Sequence, residues 1–180
     1  MTHRWIVTAL GKDRPGIVAG VTRVLYDRGC NLEDSAMTRL EGEFAIMLIF
    51  SSPASQTEAR MRAAFVPLER RLGLVVHLKA LSRQETTVHK RGRPYTISVY
   101  GSDRPGIVFR VADVLARAGA NVTDVHTHRS AGKAPSLYLM LLEVELPPRV
   151  SVPGLEGRLQ RLGKSMSVRV NLHASDASIL

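Results

Sequence analysis

The chain has 180 residues, 44% of them hydrophobic and 23% charged, with 25 Lys and Arg against 16 Asp and Glu for a net charge of +9. That apolar share excludes a disordered or collagen-like polymer, and no apolar run reaches the roughly 18 residues a membrane helix needs. The single cysteine, Cys30, excludes an internal disulfide and a cysteine-built zinc site.

The start, Met1-Thr2-His3-Arg4-Trp5, lacks the apolar core of a secretory signal, so a soluble cytoplasmic chain with no membrane partner is the expectation. Trp5–Leu10 is rich in β-branched and apolar residues, stops at Gly11, and reads as a strand. Asp13-Arg14-Pro15-Gly16 is a turn, after which Ile17, Val18, Val21, Val24 and Leu25 fall on one helical stripe. Gly29 sits where a helix end favours a left-handed residue. A strand from Asn31 to about Leu40, a hairpin turn at Glu41-Gly42-Glu43 and an apolar strand Phe44–Phe50 follow. Ser55-Gln56-Thr57-Glu58 has the spacing of a capping box, and Met61, Ala64, Phe65, Leu68 and Leu72 line one face of the helix it opens. Pro67 is expected to kink or shorten that helix. Leu74–Leu81 reads as a closing strand.

The second half repeats the first. Gly11-Lys12-Asp13-Arg14-Pro15-Gly16-Ile17-Val18 recurs as Gly101-Ser102-Asp103-Arg104-Pro105-Gly106-Ile107-Val108, an offset of 90 residues. Without a gap, Val21, Val24, Leu25, Gly29, Asn31 and Asp34 match Val111, Val114, Leu115, Gly119, Asn121 and Asp124. Strands are expected at Tyr95–Tyr100, from Asn121 to about Ser130, at Leu137–Leu146 and at Val168–Leu172, with a hairpin turn at Ala131-Gly132-Lys133. Ser151 and Pro153 open a last helix that Gly157 and Gly163 weaken. The order β-α-β-β-α-β, twice, is the α+β ferredoxin-like plan, with two helices on one face of each four-stranded antiparallel sheet. The divisions are domain 1 at 1–81, a basic linker at 82–94, domain 2 at 95–174 and a tail at 175–180.

These residues resemble the ACT domain: a strand, Gly-x-Asp-Arg-Pro-Gly-Ile-Val, an amphipathic helix, and Gly-x-Asn before the next strand. Two such copies without a catalytic domain resemble the glycine cleavage system transcriptional repressor family. The resemblance implies an amino acid bound at the loop and shared with a strand of a neighbouring unit. The matching positions are Gly11, Asp13, Pro15, Gly16 and Asn31, and Gly101, Asp103, Pro105, Gly106 and Asn121. Serine-binding members often carry Asn where this chain has Asp13 and Asp103. The family implies glycine as the first ligand to consider, with a transcription factor or a metabolic enzyme as the partner, and pairing of sheet edges makes a homodimer the expectation.

Physical chemistry supports such a corner. Glycine lets a backbone approach closely, proline presets the turn, and a helix N-terminus offers unpaired N–H groups to a carboxylate. Asp13 with Asn31, or Asp103 with Asn121, can then meet the two charges of an amino acid. Equally, the aspartates can serve as helix caps and turn formers, and the asparagines as turn residues.

Other motifs point less far. His126 and His128 share a strand face with Asp124, which suits a metal but is more ordinary on a solvated edge; no metal or cofactor is expected. Cys30 has no His–Asp partner and its repeat counterpart is Ala120, so no nucleophile is expected. There is no Walker, Gly-x-Ser-x-Gly or His-Glu-x-x-His pattern, and the chain is read as a non-enzyme. The basic residues scatter, being densest at Glu69-Arg70-Arg71 and His89-Lys90-Arg91-Gly92-Arg93, with few aromatics between them. Direct nucleic-acid binding, through the linker or an Arg60, Arg62, Arg70 and Arg71 face, is therefore not expected.

Overall fold

A computed structural model describes residues 2–82, 92–130 and 137–175. The chain divides into two compact units, Met1–Val88 and His89–Leu180. The first contains β1 (Thr2–Lys12), α1 (Ile17–Asp27), β2 (Asn31–Leu40), β3 (Glu43–Pro53), α2 (Glu58–Leu72) and β4 (Val75–Leu81). The second contains β5 (Arg93–Ser102), α3 (Ile107–Ala118), β6 (Asn121–Arg129), β7 (Leu137–Leu146), α4 (Val152–Met166) and β8 (Val168–Ala174). Each unit has a four-stranded sheet, ordered β2-β3-β1-β4 and β6-β7-β5-β8, with antiparallel neighbours throughout. The α+β ferredoxin-like plan is thus present twice.

The two sheet periodicities build the cores. Trp5, Val7 and Ala9 on β1 and Phe44, Ile46, Leu48 and Phe50 on β3 alternate inward and pack beneath Ile17, Val21, Leu25, Met61, Phe65 and Leu68 of the helices. The Trp5 indole Nε1–H donates to Ser52 Oγ at 2.8 Å, so this buried aromatic leaves no donor unpaired. Unit 2 repeats the layer with Ile97, Val99, Met140, Leu142 and Val144 under Val111, Leu115, Leu155 and Leu159.

Four local expectations change. The N-cap of α2 is Thr57, whose hydroxyl accepts from Arg60 N–H at 3.3 Å, not Ser55. The helix then runs through Pro67 to Leu72 without shortening. Burial of Phe65 and Leu68, roughly 1.5–3 kcal/mol each, offsets the roughly 3 kcal/mol cost of an internal proline. In α4, Gly163 is a packing requirement, because a Cβ there would lie 2.6 Å from the Val168 carbonyl oxygen. Arg93 and Pro94, assigned to the linker from sequence, belong to β5. Pro94 is tolerated at the start of the strand: its carbonyl accepts from Ser175 N–H at 3.1 Å just past the end of β8, and only the reciprocal donor is missing. The remainder of that linker at 83–91, the Ala131-Gly132-Lys133 turn and tail residues 176–180 lie outside the described residues.

Strand order fixes which residues can share a site. β1 and β2 both run antiparallel to β3, so they run parallel to each other. Their C-terminal ends therefore lie at the same end of the sheet, beside the start of α1. Strands β2 and β6 are edges whose every residue is exposed. No helix among the described residues is long and apolar enough to cross a membrane.

Candidate functional site

Each β–α corner begins with a close approach. A Cβ on Gly11 would lie 2.8 Å from Leu74 Cδ2 and 2.9 Å from the Gly73 carbonyl oxygen. On Gly101 it would lie 2.6 Å from the Ser167 carbonyl oxygen and 2.8 Å from Val168 Cα. These glycines therefore admit the turn that enters β4 (Gly73 and Leu74) and the start of β8 close to the backbone. Gly16 and Gly106 differ: their φ angles of 93° and 89° lie in the left-handed region, and a Cβ on either would meet nothing within 4 Å.

Both left-handed glycines stand at helix N-caps that carry no side-chain hydrogen bond. Asp13 and Asp103 accordingly do not cap α1 and α3. The first-turn N–H groups of each helix remain without a capping side chain at a positive dipole end, and neither first turn contains an acidic residue.

Instead, the aspartates face arginines from the parallel strand. Arg39 Nη1 lies 3.3 Å from Asp13 Oδ2, and Arg129 Nη1 lies 3.7 Å from Asp103 Oδ2. Sequence reasoning missed both arginines, although they match each other at the same 90-residue offset as the motif. The contacts exceed the roughly 2.7–2.9 Å of a tight charge-assisted hydrogen bond. With the Arg39 side chain 68% exposed, the pair contributes about 0–1 kcal/mol and exchanges partners readily. The Asp13 backbone N–H donates to the Gly42 carbonyl at 2.9 Å, and Lys12 pairs with Glu43, fastening the corner to the β2–β3 hairpin.

In unit 1 these groups border an open cleft of about 720 Å³, lined by Asp13 to Ala19 and by Met37, Arg39 and Phe44. At the matching registers of unit 2 stand Thr127, Arg129 and Tyr138. Burial and the Asp103 carboxylate push the Tyr138 phenol up, so it remains a neutral hydroxyl, donating to Met140 Sδ at 3.7 Å.

The asparagines lie elsewhere. Asn31 is level with Ser51 and Arg4, whereas Gly11 pairs with Phe44 at the other end of the sheet. Seven strand residues separate these levels, on the order of 20 Å. Asn121, level with Glu145, is likewise removed from Gly101, which pairs with Tyr138. Within one unit, Asp13 and Asn31, or Asp103 and Asn121, cannot hold one small zwitterion. The sequence placed them close by residue type; the parallel course of β1 and β2 separates them.

The remaining candidates resolve simply. His126 Nε2 lies 3.0 Å from Asp124 Oδ2, and among the described residues no group of three or more His, Cys, Asp or Glu is placed to hold a metal. Two of the four α2 arginines are engaged locally, Arg60 with the Ser55 carbonyl and Arg62 with Glu58 and the Leu78 carbonyl. Cys30 packs against the unit 1 core, and burial pushes its thiol up more strongly than the nearby Arg28 lowers it. The protonated thiol therefore prevails at neutral pH, and its contribution to stability is lost only as alkaline pH approaches the folded-state value. Iodoacetamide at pH 8 is expected to modify Cys30 more slowly in the folded chain than in urea, with the folded-state rate climbing as pH rises; equal rates in both states would contradict this.

Comparison with known proteins agrees with this architecture. ACT-domain family models match residues 3–79 and 95–152. A UPF0237 protein of Streptococcus mutans serotype c is 36% identical over 75 residues, covering 42% of this chain and 85% of that protein. The glycine cleavage system transcriptional repressor of Escherichia coli K12 is 47% identical over 49 residues, which is 27% of this chain and 26% of the repressor. A crystal structure of an unknown protein from Galdieria sulphuraria superimposes with a TM-score of 0.82 at 28% identity, covering 98% of this chain and all (100%) of that one. A structure provisionally assigned as a glycine cleavage system transcriptional repressor shares the fold, with a TM-score of 0.72 at 21% identity over 98% of this chain and 99% of its own. The chain belongs to the ACT-domain family, carries two ACT domains in tandem, and is related to the glycine cleavage system transcriptional repressor and to the UPF0237 proteins.

Proposed function

We propose that this protein is a non-enzymatic regulator that binds a small amino acid at the β1–α1 corner, and at its β5–α3 counterpart, and transmits binding to a protein partner. The observation that carries this reading is the paired Asp13–Arg39 and Asp103–Arg129 charges beside helix N-termini that lack side-chain caps. An aspartate suits an ammonium; an arginine and free helix N–H groups suit a carboxylate. Pro15, Gly16, Pro105 and Gly106 hold the turn open, while Gly11 and Gly101 set the strand spacing behind it. Kinship with a transcriptional repressor of glycine cleavage favours glycine as the first ligand to test and a transcription factor as the partner, ahead of a metabolic enzyme. The ligand acts only through a difference in affinity between two states of the protein.

The exposed edge β2 supports a homodimer through strand pairing with a second copy. Antiparallel pairing there brings the Asn31 end of one copy toward the Leu40 end of the other, where Asn31 of the second copy can join the corner. Equilibrium dialysis of the full chain against labelled glycine and a panel of amino acids tests the proposal. Saturable binding that Asp13→Asn and Asp103→Asn together weaken is expected; no binding of any amino acid at millimolar concentration overturns it.

A further inference from the structure

We infer that the first unit selects an α-amino acid with an aliphatic side chain over glycine, with Arg39 as its carboxylate anchor and Met37 as part of its side-chain wall. This rests on the amino-acid reading above and specifies the ligand class of that corner. The α-ammonium and α-carboxylate of an amino acid are separated by one carbon, so a zwitterion fits between Asp13 and Arg39 as an alternating ring of four charges. The 3.3 Å ion pair is loose, and its guanidinium lies mostly in solvent, so the ligand has little to displace. Either charge alone on the ligand would leave one protein charge facing its like-charged or unpaired counterpart. Recognition therefore requires both ends.

The space beyond the charges decides the side chain. The cleft of about 720 Å³ far exceeds what glycine fills, and lies within the range of pockets that take larger ligands. Its wall beside Asp13 and Arg39 consists of Val18, Met37 and Phe44. Met37 is 60% exposed and Val18 42%, apolar surface that a Cβ-branched or Cγ-branched side chain would cover. Ala19 keeps the rim low. The second unit keeps Val108 at the position of Val18 but has Phe109, Thr127 and Tyr138 where unit 1 has Ala19, Met37 and Phe44, so the thioether wall on β2 belongs to unit 1 alone.

Isothermal titration calorimetry of the full chain carrying Arg129→Gln, which removes the arginine of the second corner so that the first is read, with glycine, L-leucine, isoamylamine and 4-methylpentanoate tests the inference. L-Leucine is expected to bind about tenfold or more tighter than glycine, through burial of its side chain. The amine and the acid, each lacking one charge, are expected to bind about tenfold or more weaker than leucine. Arg39→Gln should weaken leucine by about tenfold or more, and Met37→Thr should narrow the leucine–glycine gap without abolishing glycine binding. Arg23→Gln, on the exposed face of α1, is the control. Arg39 and Met37 are exposed, and an unchanged circular dichroism melt establishes that both variants fold. Glycine binding as tightly as leucine, or leucine binding unaffected by Arg39→Gln, overturns the inference while leaving the amino-acid reading intact. Silence from every amino acid overturns both.

Discussion

Gly101→Ala will destabilise the second unit by about 1–3 kcal/mol, the usual cost of forcing added atoms into packed space. The new Cβ would stand 2.6 Å from the Ser167 carbonyl oxygen and 2.8 Å from Val168 Cα. Both are backbone atoms at the register where Gly101 faces Val168 across β5 and β8, so no rotamer change relieves the clash. The strands must part at the end of β5, next to Asp103. Thermal unfolding followed by far-ultraviolet circular dichroism should show a midpoint lowered by several degrees, since about 1 kcal/mol moves a domain of this size by roughly 4–8 °C. Gly11→Ala should cost less, because one of its two close contacts is the movable end of the Leu74 side chain. Equal melts for Gly101→Ala and the parent chain would refute the close-approach explanation and return this glycine to the ligand.

Phe65→Ala carries a larger expected loss, about 3–5 kcal/mol, as for other buried aromatic truncations. Phe65 is 1% exposed and belongs to the cluster that holds Trp5, Val21, Phe50 and Met61. It also precedes Pro67, where α2 lacks one backbone donor and depends on burial for its continuity. Trp5 is the chain's one tryptophan and reports on this core directly. A urea titration read by Trp5 fluorescence should show a lower midpoint with an unchanged slope, the signature of lost stability. A midpoint within error of the parent would mean that α2 does not need its apolar face, contrary to the packing described.

Much of the fold was legible in the residues. The β-branched and apolar runs Trp5–Leu10 and Phe44–Phe50, bounded by glycine and turn residues, and the 3.6-period stripe from Ile17 to Leu25 specify strands and helix. Repetition at 90 residues turns one such unit into two. What those periodicities could not specify was strand order, since spacing along the chain does not say which strands become neighbours. Once β3 inserts between β1 and β2, Asn31 is carried away from Asp13, while Arg39, 26 residues distant in sequence, arrives beside it.

The glycines show the same division. Sequence marked Gly11, Gly16, Gly101 and Gly106 alike, because a missing Cβ reads identically whether it serves a turn, a ligand or a neighbouring strand. Only the packed chain separates them: Gly16 and Gly106 supply positive φ into open space, whereas Gly11 yields room to Gly73 and Leu74 before β4 and Gly101 to Ser167 and Val168 at the start of β8. The sequence by itself therefore determined the elements, their duplication and the ACT kinship. The tertiary structure alone decided which charges meet, because that depends on contacts between segments that local periodicity does not encode.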